Sequence, residues 1–239
     1  MGSQSIFELL ALSPPGWGGV LLNGAFWTIA ISLGGYFTGL TIGLLGALGK
    51  LSGFASLRFI LNSYTTIIRS VPELILIVGL YYAGTSTLNN FLTSIGFGGV
   101  EINGLTAAIL VLGVVQGAYA TEVIRGAILA IPSGQIEAAR AFGMSDLLRF
   151  RRITLPGLIP NALPGLSNLW MSITKDSALI AVVGYQELTL AARNTASATK
   201  HYFTFLITAA LMYLVISLLS EALFRALERF YRRGQALNS

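Results

Sequence analysis

Arg69, Glu73, Glu122, Arg125, Lys175 and Asp176 stand inside, or at the ends of, otherwise apolar runs. An ionisable group in such a setting is costly, so it either pairs with a neighbour or faces a polar path. Arg69 and Glu73 flank Pro72 four residues apart, a spacing that lets them pair along one helical face or line a path. Glu122 and Arg125 lie on adjacent turns, which leaves Glu122 either as the partner of Arg125 or as a wall of the path. Lys175 and Asp176 follow an apolar run and either line its exit or brace it. Both signs of charge are thus available to a solute carrying a carboxylate and an ammonium group: Arg69 suits the carboxylate, and Glu73 or Glu122 the cation.

Bond-making chemistry leaves no trace. The nearest approach to a phosphate-cradling loop ends at Gly49-Lys50, but Leu44 stands where glycine is needed and Leu51 where serine or threonine is needed. No nucleophile elbow, catalytic carboxylate pair or metal-binding cluster is apparent, cysteine is absent, and the one histidine, His201, falls in a polar stretch. The chain is therefore expected to have no catalytic residue, metal or cofactor of its own.

The elements that carry these residues are membrane elements. Of the 239 residues 54% are hydrophobic and 10% charged, with a mean hydropathy of +0.73, against about a quarter charged in soluble domains. The net charge of +5 does not point to nucleic acid, because the basic residues lie in short clusters beside apolar runs, as membrane orientation requires. The expected architecture is an all-α polytopic membrane protein with five spans. The first, 20–48, places Gly35, Gly39 and Gly43 on one face for close helix packing. The second, 59–82, is kinked at Pro72. An external loop, 83–104, leads to the third span at 105–129. The fourth, 157–174, is broken by Pro160 and Pro164, and 178–184 is too short to cross, so it is a half-helix or a re-entrant piece. The last span is 203–224, with a basic end reaching Arg233. Residues 1–19 read as a turn-rich lead-in without chemistry, 20–233 as the membrane domain and 234–239 as a tail. Lys50, Arg58, Arg125 and the arginines of 140–152 and 225–233 fall on one side, Arg193 and Lys200 on the other, which puts the N-terminus outside and the C-terminus inside.

Between the third and fourth spans lies a polar island, residues 132–157. Ser133 is a plausible helix start and Gly143 can take the left-handed conformation that ends a helix near Phe142. Ser145 then caps a second helix, with Asp146 in its first turn, Arg149, Arg151 and Arg152 in water, and Pro156 opening the next run. Ala138, Ala139 and Ala141 leave little bulk on the first helix, so the groove of another protein can approach its backbone. This is a docking element.

Glu137-Ala138-Ala139, then Gly143, Ile153, Leu155 and Pro156 at their spacings, resemble the "EAA" loop of the membrane subunits of bacterial ABC importers. The stretches 49–52, 64–74 and 117–127 are similar to the polar amino acid branch, and most to the Q-type subunit of histidine/lysine/arginine/ornithine and octopine/nopaline systems. The resemblance implies a MetI-like fold and a cytoplasmic coupling loop seated in a separate ATPase subunit that binds ATP and Mg. It also implies a second, non-identical permease subunit, a periplasmic substrate-binding protein and the inner membrane of a Gram-negative bacterium. The amino acid cargo is then polar and basic: arginine, lysine, histidine, ornithine or an opine. The rival reading is a stand-alone, gradient-driven secondary transporter, which spans and buried charges alone would permit but which has no need of an ATPase socket.

Overall fold

The computed structural model describes residues 5–96 and 103–232, so Arg233, the 234–239 tail and part of the expected external loop lie outside the described residues. Among the described residues the protein is helical throughout. Its elements are α1 (Ile6–Leu9), α2 (Gly18–Leu51), α3 (Ala55–Ser70), α4 (Glu73–Gly79), α5 (Thr85–Ser94), α6 (Gly104–Leu129), α7 (Ser133–Ala141), α8 (Asp146–Arg149), α9 (Leu155–Asp176), α10 (Leu188–Thr199) and α11 (Tyr202–Arg232).

The centre is the seam between α2 and α6, and glycine makes it possible. A Cβ on Gly43 would stand 2.4 Å from the Cβ of Ala120, and one on Gly39 would stand 3.2 Å from the Cβ of Gln116. Gly113 and Gly117 return the favour from α6, against Thr38 and Ile42. The two backbones approach closely along their length, as the fourfold glycine spacing predicts. Around the seam, Ile31, Ala108, Leu112, Trp170, Ile173 and Ile180 form the largest buried cluster.

Three helices are long and apolar enough to cross a membrane: α2, α6 and α11. A fourth crossing is reached if α3 and the segment 73–94 count as one span, and these two are bent from one another by 113°. The expected kink at Pro72 is therefore a reversal. Val71 is held extended (φ −99°, ψ 140°), as the residue before proline prefers, and Pro72 starts α4 by accepting the amides of Ile75 and Leu76 through its carbonyl. Ile77 is then buried against α6, which keeps the returning segment in place.

Two further expectations are corrected. The loop foreseen at 83–104 is entered through a π-helical turn, Leu80–Gly84, and contains all of α5. The span foreseen as broken by Pro160 and Pro164 is one continuous 22-residue helix, α9, reached through a π-helical turn, Phe150–Thr154. Pro156, Pro160 and Pro164 recur every fourth residue, so their missing donors fall on one face and leave the rest of the ladder intact. Polar Asn161, Ser167 and Asn168 keep α9 below the apolarity of the other spans, so five crossings are not reached by length and apolarity alone. After Asp176 the chain tightens into a 3-10 helix, Ser177–Val183, and turns at Gly184 (φ 86°), within the stretch expected to be a half-helix or a re-entrant piece.

The lead-in is part of the fold. Ser5 caps α1 in a capping box with Glu8, and Leu9 is buried with Leu21, Leu188, Ala192 and Phe205.

Candidate functional site

The break in the second span sets the first group of charges. Arg69 occupies the last turn of α3 and Glu73 the first turn of α4, the ends at which the helix dipole favours a cation and an anion respectively. They do not pair with each other. The Arg69 guanidinium lies over the ring of Tyr119, 5.8 Å from its centroid, a cation–π geometry. The Glu73 carboxylate comes close enough to Tyr119 and to Asp176 to act electrostatically on both.

Asp176 ends α9 beside the break. It accepts the Gln116 amide Nε2 at 2.8 Å, across the seam from α6. Gln116 is 3% exposed and its Oε1 has no partner among the described residues. Two carboxylates thus lie close together beside Gln116, with the exposed Lys175 next to Asp176 in the chain and Arg69 stacked on Tyr119. Adjacent carboxylates repel each other unless a cation joins them. The arrangement can act as a socket for an ammonium or guanidinium group, with basic side chains nearby.

Glu122 is placed elsewhere. Its Oε1 lies 2.5 Å from the Lys50 Nζ and its Oε2 2.9 Å from Arg125 Nη2, while Lys50 also donates to Thr65 Oγ1 at 2.6 Å. Of the two readings open for Glu122, the pair with Arg125 is present and Lys50 joins it. The network ties the ends of α2 and α3 to α6. Lys50, beyond the span foreseen at 20–48, still belongs to α2, and its side chain is only 5% exposed.

The polar island folds as helix, turn, helix. α7 carries Glu137, Ala138 and Ala139; Phe142 accepts no further helical continuation, and Gly143 takes φ 70° while the amide of Met144 donates to the Ala139 carbonyl at 3.1 Å. Glu137, Ala138 and Ala141 are exposed and Phe142 is 84% exposed, but Ala139 is buried against its own chain, so the outward face of α7 is narrower than three alanines implied. Ser145 caps α8, which is a single turn. Arg149 is not in water: it binds Asp146 at 2.6 Å and lines a cavity of about 510 Å³ with Leu51, Ile131, Glu137 and Arg140. Ile153 lies in the π-helical turn and Leu155 and Pro156 open α9, so the loop is continuous with the helix that ends in Asp176.

Residues 39–233 match the family of binding-protein-dependent transport system inner membrane components. This chain belongs to that family. The octopine transport system permease protein OccQ of Agrobacterium tumefaciens is 40% identical over 228 residues, covering 95% of this chain and 96% of its own. The nopaline transport system permease protein NocQ of Agrobacterium fabrum is 42% identical, covering 95% and 97%. The histidine/lysine/arginine/ornithine transport system permease protein HisQ of Escherichia coli is 38% identical over 219 residues, covering 92% and 96%. Among solved structures, an amino acid ABC transporter crystallised with histidines has a TM-score of 0.75 at 31% identity, covering 89% of this chain and 94% of that one. The MetNI methionine ABC transporter, at 24% identity and a TM-score of 0.74, shares the fold, which is MetI-like.

The inner membrane component thus has its charges sorted into two groups along α6. Gln116, Tyr119 and Thr65 escaped the sequence reading because neutral polar residues in a span carry no signal of their own. Glu187, missed as well, is a fully buried carboxylate at the start of α10. It accepts from Tyr213 at 2.6 Å, from Thr28 at 3.2 Å and from the backbone amide of Leu190 at 2.9 Å. Its acidic type in a stretch otherwise rich in alanine and threonine was the available sign.

Proposed function

We propose that this chain is the transmembrane subunit of an ATP-driven importer that carries polar, basic amino acids from the periplasm to the cytoplasm. The observation that supports the reading most is the closeness of the Glu73 and Asp176 carboxylates, the latter oriented by Gln116, a pair of acceptors suited to a cationic side chain or an α-ammonium group. Arg69 and Lys175 stand ready for the carboxylate. Glu122 serves the fold through Lys50 and Arg125. Relatives named for octopine, nopaline and histidine/lysine/arginine/ornithine systems agree with a cargo of this charge.

In this reading ATP and Mg are bound by a separate ATPase docked on the exposed side of α7, with Glu137, Ala138, Ala139, Gly143, Ile153, Leu155 and Pro156 as the coupling element. A second, non-identical permease subunit completes the path, and a periplasmic binding protein delivers the substrate. The loop and the C-terminus face the cytoplasm and the N-terminus the periplasm. Force on the loop reaches the socket along a short physical route, because the π-helical turn after α8 runs without interruption into α9 and Asp176 is the last residue of that helix.

The test is uptake of arginine, lysine and histidine into liposomes holding the assembled complex with its binding protein. Asp176→Asn and Glu73→Gln are each expected to lower uptake about tenfold or more, the worth of one charged hydrogen bond, while the ATPase still co-purifies. Undiminished transport of all three amino acids by the double variant removes the substrate assignment. Uptake that proceeds without ATP removes the importer reading and favours the gradient-driven carrier.

A further inference from the structure

α10 lies at the end of the molecule opposite the coupling loop. Leu188 at its start packs on Gly24, and Leu51 at the other end of α2 lines the cavity beside Glu137. The 27 helical steps from Gly24 to Leu51 span about 40 Å, a full bilayer. With the loop in the cytoplasm, α10 is on the periplasmic surface. It buries Leu188, Ala191, Ala192, Thr195 and Ala196 and turns Arg193, Asn194 and Ser197 outward, ending on exposed Lys200 in the left-handed region (φ 64°). Arg193, Asn194, Ser197 and Tyr202 line a recess of about 510 Å³.

The exposed cations of α10 are Arg193 and Lys200. Glu187 is buried beneath them and accepts from three donors, while the exposed Glu8 on neighbouring α1 accepts the Ser5 amide at 3.0 Å. Lysine and arginine on the outer side also run against the bias that orients a membrane chain, so their presence there asks for a use. The scaffold beneath is rigid, since Glu187 joins α10 to α2 through Thr28 and to α11 through Tyr213. A recess lined by Arg193 and neutral hydrogen-bonding groups, with exposed Lys200 ending the same helix, suits a folded acidic partner, and the family to which the chain belongs is binding-protein-dependent.

We infer that the outward face of α10, with Arg193 and Lys200 as its charges, receives an acidic patch of the substrate-binding protein. The inference rests on the importer reading above. Charge complementarity of this kind speeds encounter and is weakened by salt.

The experiment is ATP hydrolysis by the reconstituted complex, titrated with purified substrate-loaded binding protein, for the wild type, Arg193→Glu/Lys200→Glu and the milder Arg193→Gln/Lys200→Gln. Charge reversal is expected to raise the half-saturating concentration about tenfold, neutralisation less, with the rate at saturation retained and the salt dependence of half-saturation flattened. Stimulation of the wild type with an unchanged half-saturating concentration in both variants overturns the docking surface alone. A wild type that hydrolyses ATP without response to any binding protein overturns the importer reading and the surface with it. A defect seen in liposomes of phosphatidylglycerol but absent in phosphatidylcholine assigns the patch to lipid headgroups and likewise overturns it.

Discussion

Lys50 and Glu187 are buried charges kept for opposite reasons. The Lys50 ammonium meets a carboxylate and a hydroxyl, and removing it leaves Glu122 with Arg125 alone. Lys50→Met is expected to cost about 2 kcal/mol, and Lys50→Met/Glu122→Gln to cost less than the single change, because breaking a buried pair leaves one charge without compensation. Thermal unfolding of the detergent-purified complex reads both. Glu187 has no cation, and its carboxylate is held by hydroxyls and one backbone amide that also caps α10. Glu187→Ala strands the Tyr213 and Thr28 hydroxyls as well as that amide and is expected to cost about 3 kcal/mol, with Glu187→Gln milder because one acceptor oxygen survives. An equal loss for both variants in the same unfolding assay removes the hydrogen-bond account.

At the scale of elements, the α2–α6 seam and the hinge after α3 divide the work. The seam is closed by glycine, and Gly43→Leu is expected to keep the chain from reaching the membrane in folded form, since the new side chain meets the Ala120 Cβ and backbone at van der Waals overlap. Proteolysis and yield after membrane extraction measure this; a Gly126→Ala control, where nothing lies within 4 Å, is expected to be silent. The glycine spacing was readable because helix faces repeat every three to four residues. The reversal at Val71–Pro72 was not: proline announces a break, but its angle is decided by where Ile77 finds buried neighbours on α6. For the same reason Pro160 and Pro164, which read as breaks, turned out to lie with Pro156 on one face of the intact helix α9.

The whole molecule is unfinished on one side. Asn62, Thr66 and Arg69 follow a helical spacing on α3 and are exposed within the span foreseen at 59–82, where lipid would leave them unsatisfied. The second permease subunit of the proposed complex is expected to cover this stripe or to share a water-filled path with it. Because the chain has no cysteine, a single cysteine at Thr66 gives a clean probe. It is expected to react with a water-soluble maleimide or to cross-link to the sister subunit in the assembled complex. Labelling only by lipid-soluble reagents places the stripe against lipid and contradicts this arrangement.

The apolar runs, the helical class, the helix–turn–helix of 132–157 and the glycine seam were determined by sequence alone, because each depends on composition or on spacing within a few turns of one helix. What the tertiary structure decided is partnership. Arg69 and Glu73 invite pairing by their spacing, yet one stacks on Tyr119 and the other faces Asp176; Gln116 meets Asp176 across 60 residues, Lys50 meets Glu122 across 72, and Thr28 meets Glu187 across 159. A charge in a membrane takes the partner that helix packing brings within about 3 Å, and packing is settled by the complementarity of whole faces, which no local spacing encodes.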